Sequence, residues 1–257
     1  PKDGSGWYFP CRAEKDGRQY APWKMLPEAD KPALNAWLAE QPLVLENKDL
    51  RIVHAAWLPE SLATLEAAVG ENLIAQYRRY DDELVHALQT ASWYGDYLRE
   101  QARHAEALEN ADMPPPPMPA TAQYELARSR LHPIRALTSG AEIIAPAPFY
   151  AGGRWRYTAR SAWWSDYRER VPVLVGHYWR HWYPRDADPT RENLMPPQNN
   201  AWHGAAHNVF CIDYSVGARW RDRKAGIAPA RSEFRLAALR WPERVLVFDD
   251  GEVAATV

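Results

Sequence analysis

Val171-Pro172-Val173-Leu174-Val175-Gly176-His177 is the stretch whose reading decides the fold. Its middle is apolar at consecutive positions and a glycine closes it. A run apolar on both faces reads as a strand lying centrally in a sheet. Leu50-Arg51-Ile52-Val53-His54 is a second short apolar run that also ends in histidine. A histidine just past a buried strand sits on a rigid element. It points into the crevice at the sheet's edge, where α/β folds keep ligands. One such residue means little. His54 and His177 together suggest half of a metal site, whose other half this sequence does not contain.

Working outward, Pro42 to Glu46 and Leu50 to His54 read as two strands joined by the polar turn Asn47-Lys48-Asp49. Pro1 to Tyr20 is polar and Gly-rich and reads as loop. A short helix is expected between Pro27 and Ala39, with Leu34, Trp37 and Leu38 as its apolar residues. Pro59-Glu60-Ser61 opens another, which should stop near Gly70. Glu71 to about Asn110 is helical and charged, with Leu84, Leu88 and Leu98 as candidate buried positions. Met113-Pro114-Pro115-Pro116-Pro117-Met118-Pro119 cannot be helix, because proline has no donor and fixes φ. It reads as an extended linker. A helix follows from about Ala122 to Leu137. Strand-like runs then occupy Ala141–Ile144, Arg154–Trp163, Val171–Gly176, Val209–Tyr214, Glu233–Trp241 and Arg244–Phe248. The last two should form an antiparallel hairpin. The expectation is an α/β chain with one mixed sheet and a helical insertion.

The 257 residues are enough to bury a proper core. A net charge of −2 gives no global basic field for nucleic acid or anionic membrane. No apolar stretch approaches the roughly 18–20 residues that cross a bilayer. Cys11 and Cys211 are too few for a disulfide framework and read as free thiols of a reducing, cytoplasmic protein. The 13 tryptophans read as core and cleft walls. A Trp-lined carbohydrate groove is the alternative, and it needs exposed coplanar indoles.

Several phrases, in order, carry a resemblance. They are Arg51-Ile52-Val53-His54-Ala55-Ala56-Trp57, Leu137-Thr138-Ser139-Gly140-Ala141-Glu142-Ile143, Gly176-His177-Tyr178-Trp179 and Asn208-Val209-Phe210-Cys211-Ile212-Asp213-Tyr214-Ser215-Val216. A hairpin with Leu236-Ala237-Ala238-Leu239-Arg240-Trp241 follows. The set resembles the C-terminal part of bacterial calcineurin-like metallophosphoesterases, the superfamily of the serine/threonine protein phosphatases. The resemblance implies the C-terminal half of a four-layer α/β sandwich. Residues 1–60 would be the central part of the domain. Residues 61–120 would be a helical insertion or cap with the Pro-rich linker, and residues 121–257 the C-terminal sheet half.

The resemblance also implies chemistry. Two divalent ions, Mn, Fe or Zn, clamp a phosphoester, activate water and stabilise the departing oxygen. His54 and His177 match two histidines that ligate one of those ions. Trp179 stands where many relatives carry a further histidine. Gly-Asp-x-His, Gly-Asp-x-x-Asp-Arg-Gly and Gly-Asn-His-Glu are absent. Gly95-Asp96 is followed by Tyr97. The bridging carboxylate and the acid are therefore missing, and no catalytic residue is assigned to this chain. Pro1 falls where relatives continue after Gly-Asn-His-Glu. The expected partners are a phosphorylated substrate and an N-terminal half of the same domain, encoded separately or cut away. The chain alone is expected to be inactive.

Other residues carry open alternatives. Arg160 is a phosphate-binding candidate among the alternating Arg154, Arg156 and Arg160, which otherwise read as surface ion-pair residues. His203 and Tyr178 are candidates for the substrate mouth. His181, His203 and His207 otherwise read as solvated loop histidines. Asp213 is a candidate to orient a ligand histidine, or else a turn residue. His86, His104 and His132 read as surface or capping residues. The alternative function is a non-catalytic binding module on a degenerate phosphoesterase scaffold.

Overall fold

The computed structural model describes residues 4–67, 72–182, 194–195 and 199–257. In chain order its helices and strands begin with α1 (Ala13–Tyr20), α2 (Lys31–Ala39), β1 (Val44–Glu46), β2 (Arg51–Val53) and α3 (Pro59–Glu66). Next come α4 (Leu73–Thr90), α5 (Tyr94–Arg103), α6 (Ala105–Glu109), α7 (Pro119–Arg130) and α8 (Pro133–Ser139). The remainder is β3 (Glu142–Ala151), β4 (Arg154–Arg160), β5 (Val173–Val175), β6 (Val209–Cys211), α9 (Arg219–Lys224), β7 (Ala237–Arg240), β8 (Val245–Phe248) and β9 (Val253–Ala255). The chain is mixed α/β. Its strands form three sheets rather than one.

The central sheet has the order β1-β2-β5-β6. β1 runs antiparallel to β2, while β2, β5 and β6 are mutually parallel. β5 is buried along its length between two neighbours, as its sequence requires. Alternate side chains feed two cores. Val53, Val173, Val175, Val209 and Cys211 pack with Trp57, Leu137, Trp163, Trp164 and Tyr167 on one face. Leu174 and Phe210 pack on the other with Trp182, Trp202, Tyr214, Leu246 and Phe248. The β7-β8-β9 sheet covers the β5-β6 side of that second face through β8.

The second face is covered on one side only. Leu45, Ile52, Leu174 and Phe210 lie in register across the four strands. Their exposures are 54 %, 38 %, 6 % and 0 %. The row is solvated at β1 and dry at β6.

The insertion helices form their own small core. Leu108, Met118, Ala122 and Tyr157 are buried together, with α7 packed on α5 and on the β3-β4 ribbon. The Pro-rich segment is thus more than a spacer. Met118 enters this core, and the Pro116 carbonyl accepts the Tyr157 hydroxyl at 3.0 Å.

Other expectations need correction. Residues 13–20 are helical rather than loop, held by buried Asp16, whose carboxylate accepts the Gly6 amide at 2.8 Å. Of the candidate buried positions, Leu84 and Leu88 are buried and Leu98 is exposed. The single helix expected over 122–137 is two. Proline forces its predecessor out of the α region, so His132 is extended and Pro133 starts α8. The His132 ring accepts the Arg135 amide at 3.3 Å, so it caps α8 while fully buried. The expected stop near Gly70 lies outside the described residues. No helix among the described residues is long and apolar enough to cross a membrane.

Candidate functional site

His54, His177 and Asp213 all follow the carboxyl ends of the three parallel strands. Parallel pairing places those ends side by side. The two imidazoles meet edge to face, with ring centres 5.5 Å apart and planes inclined by 66°. An imidazole nitrogen binds zinc at about 2.0–2.1 Å, which puts the ion about 3 Å from the ring centre. Two rings sharing one ion at a tetrahedral angle then have centres about 5 Å apart. The pair fits two ligands of one ion.

His177 is held in place by its surroundings. Its backbone is left-handed, with φ of 70°. Such backbone is costly for a non-glycine residue and persists where the surroundings over-determine it. Here Tyr178 supplies the anchor. Its hydroxyl donates to the Ala55 carbonyl at 3.0 Å and accepts the Trp163 indole N–H at 3.0 Å. The same indole lies 3.1 Å from the Ala55 carbonyl. The Ser139 carbonyl, at the end of α8, favours the protonated form of the His177 ring. Gly140 follows with φ of 80°, and a β-carbon there would meet the Tyr178 hydroxyl at 3.2 Å. Only glycine suits that turn.

Burial, then the Arg160 guanidinium, then His54 bring the His177 pKa down to about 4. The ring is therefore neutral at pH 7, the form that ligates metal. The Arg160 guanidinium lies 5.9 Å from the Tyr178 ring centre and 5.3 Å from that of Trp179. This places a cation beside the histidine pair, where an anionic ligand would dock. Asp213 accepts the Ser215 amide at 2.9 Å and shapes the turn after β6. Its charge also favours protonated His177, more weakly than Arg160 opposes it.

Two candidates do not serve as expected. The Tyr178 hydroxyl already makes the structural bonds described, and burial pushes its pKa well above the usual phenol range. His203 is not at a solvated mouth. It is 3 % exposed and forms an antiparallel bridge to Val209, which seals the outer edge of β6. Both of its ring nitrogens are buried with no hydrogen-bond partner among the described residues. Burial, with Arg180 and His207 nearby, brings its pKa down to about 4. His181 lies 3.1 Å from a Glu233 carboxylate oxygen, away from the pair.

Trp163 and Gly140 complete the support of the site, and no role for either is read from the sequence. A glycine just past a helix end was the available signal for Gly140. Nothing local marks Trp163, whose partners are 108 and 15 residues away. Among the described residues, no group of three or more His, Cys, Asp or Glu could hold a metal. The pair therefore fits half of one ion's shell, and a dinuclear centre does not fit these residues alone. No family model, curated protein or solved structure matches the chain.

Proposed function

We propose that this chain is the C-terminal part of a calcineurin-like metallophosphoesterase and contributes to metal-dependent hydrolysis of phosphate esters. The observation that carries the reading is the His54–His177 pair, at a spacing suited to one shared ion. His54 and His177 would hold one divalent ion, Mn, Fe or Zn, which when bound would polarise a phosphoryl oxygen. Arg160 would bind a further phosphate oxygen. Asp213 would bias the electrostatics of His177 across the crevice.

A second polypeptide segment would supply the remaining ligands, the bridging carboxylate and the acid. The row from Leu45 to Phe210 supports that partner. A sheet face dry at one side and wet at the other is an incompletely covered layer. The test is titration of the purified chain with Zn or Mn, followed by calorimetry. One weakly held ion per chain is expected, lost in His54→Ala and in His177→Ala. No ion binding in the parent chain would favour a non-catalytic module on this scaffold.

A further inference from the structure

Trp179 is the most exposed large apolar side chain among the described residues, at 66 %. It reaches solvent from left-handed backbone, with φ of 50°, two residues after His177. An indole in water gains nothing from burial, and left-handed backbone opposes a bulky residue. Both penalties fall on one side chain at the rim of the histidine pair. One further contact gives them a meaning. The Arg160 guanidinium lies 5.3 Å from the Trp179 ring centre, and it also acts electrostatically on His177. The cation suited to a phosphate and the open indole thus form one unit.

Other Trp side chains in the same half are not comparable. Trp163, Trp164, Trp182 and Trp202 are buried in the two cores. A general role in packing does not account for Trp179.

We propose that Trp179 is a platform on which the planar ring of a phosphoester stacks while Arg160 binds its phosphate. The ligand class is an aryl or nucleoside monophosphate, in preference to an alkyl phosphate. The inference rests on the phosphoester reading above and narrows its substrate class. Stacking on an aromatic side chain tolerates any planar ring, because every such ring offers a π-face. Both residues belong to this chain, so ring-dependent binding does not need the completing segment.

The experiment is equilibrium binding to the full chain, read by indole fluorescence and by calorimetry. The probes are inorganic phosphate, glycerol 2-phosphate, phenyl phosphate and AMP. Phenyl phosphate or AMP should bind roughly tenfold tighter than glycerol 2-phosphate, in line with one stacked ring. Trp179→Ala should bring that ratio close to one, and Trp179→Phe should retain most of it. Tighter binding of phenyl phosphate than AMP places the ring at the ester oxygen, and the reverse order indicates a nucleoside. Equal affinity for all four probes, or a ratio that survives Trp179→Ala, overturns the platform and leaves the phosphoester reading standing. Binding of none of them overturns both.

Discussion

The Gly176 amide donates to the His54 carbonyl at 2.9 Å. The bond ties the segment bearing one imidazole to the residue preceding the other. The pair's spacing is therefore a property of the sheet, and an ion bridging the rings would clip two parallel strands together. Ligand bound only by the native state raises its stability. Saturating Zn should raise the melting temperature of the parent chain. His54→Ala and His177→Ala should each remove the whole rise, and the double variant should remove no more. Calorimetric melting with and without Zn checks this non-additivity.

Tyr178 and Trp163 act together. Tyr178→Phe removes a hydroxyl bonded to both Ala55 and Trp163. The expected cost is about 1–3 kcal/mol, because buried partners are left unsatisfied. Trp163→Phe should cost a similar amount plus lost packing. The double variant should cost less than the sum, since the two share a bond. Urea denaturation measures all three. A Tyr178→Phe variant with parental stability would point back to a role in ligand binding.

His203 gives a pH dependence with a definite sign. Its folded pKa of about 4 lies below the ordinary histidine value of 6.5. As pH falls between those values, the unfolded chain takes a proton that the native state refuses. Stability therefore falls with pH in that window, and the slope ends below about pH 4. His203 alone can account for up to about 3 kcal/mol, an upper bound. His177, whose pKa is also brought down by burial, contributes with the same sign. His203→Leu should flatten the profile by about half, with no loss at pH 7, because it removes two orphaned nitrogens. A profile unchanged by His203→Leu would assign the slope elsewhere.

The chain alone should not hydrolyse para-nitrophenyl phosphate with Mn present. Two imidazoles cannot build the bridged centre that the reaction needs. Measured turnover by the purified chain, abolished in His177→Ala, would contradict that.

Left-handed backbone at Trp179 predicts that stability and ligand preference separate. Trp179→Gly should hold stability or gain up to about 1 kcal/mol, as relief from the β-carbon clash offsets glycine's entropy. Ring preference should vanish in the same variant. Denaturation beside AMP binding measures both.

Strand β5 was readable because three consecutive apolar residues leave no polar face, and the structure gives it two parallel neighbours. The histidines after β2 and β5 were readable by position. Their mutual approach depends on parallel register, which no local pattern encodes. Periodicity marked Trp37, Leu38 and Leu98 as an apolar side but does not say whether anything covers it. The extension of β3 past Ala145-Pro146-Ala147-Pro148 was hidden because proline argues against a strand. A two-stranded ribbon with a register shift between Ile144 and Phe149 accommodates it. His203 read as a polar loop residue. Its burial follows from pairing with Val209, a contact made by the return of the loop.

The central sheet has unlike ends. At β6, Val209 exchanges backbone bonds with His203, and the Cys211 carbonyl accepts the Arg180 guanidinium at 3.2 Å. At β1, no strand among the described residues takes the outer edge. Strand addition can therefore occur at one end only. A copy that pairs through β1 occupies the one open edge of this sheet, so the central sheet of one chain can be extended only once. The His203 bridge is in this sense a terminator of the sheet.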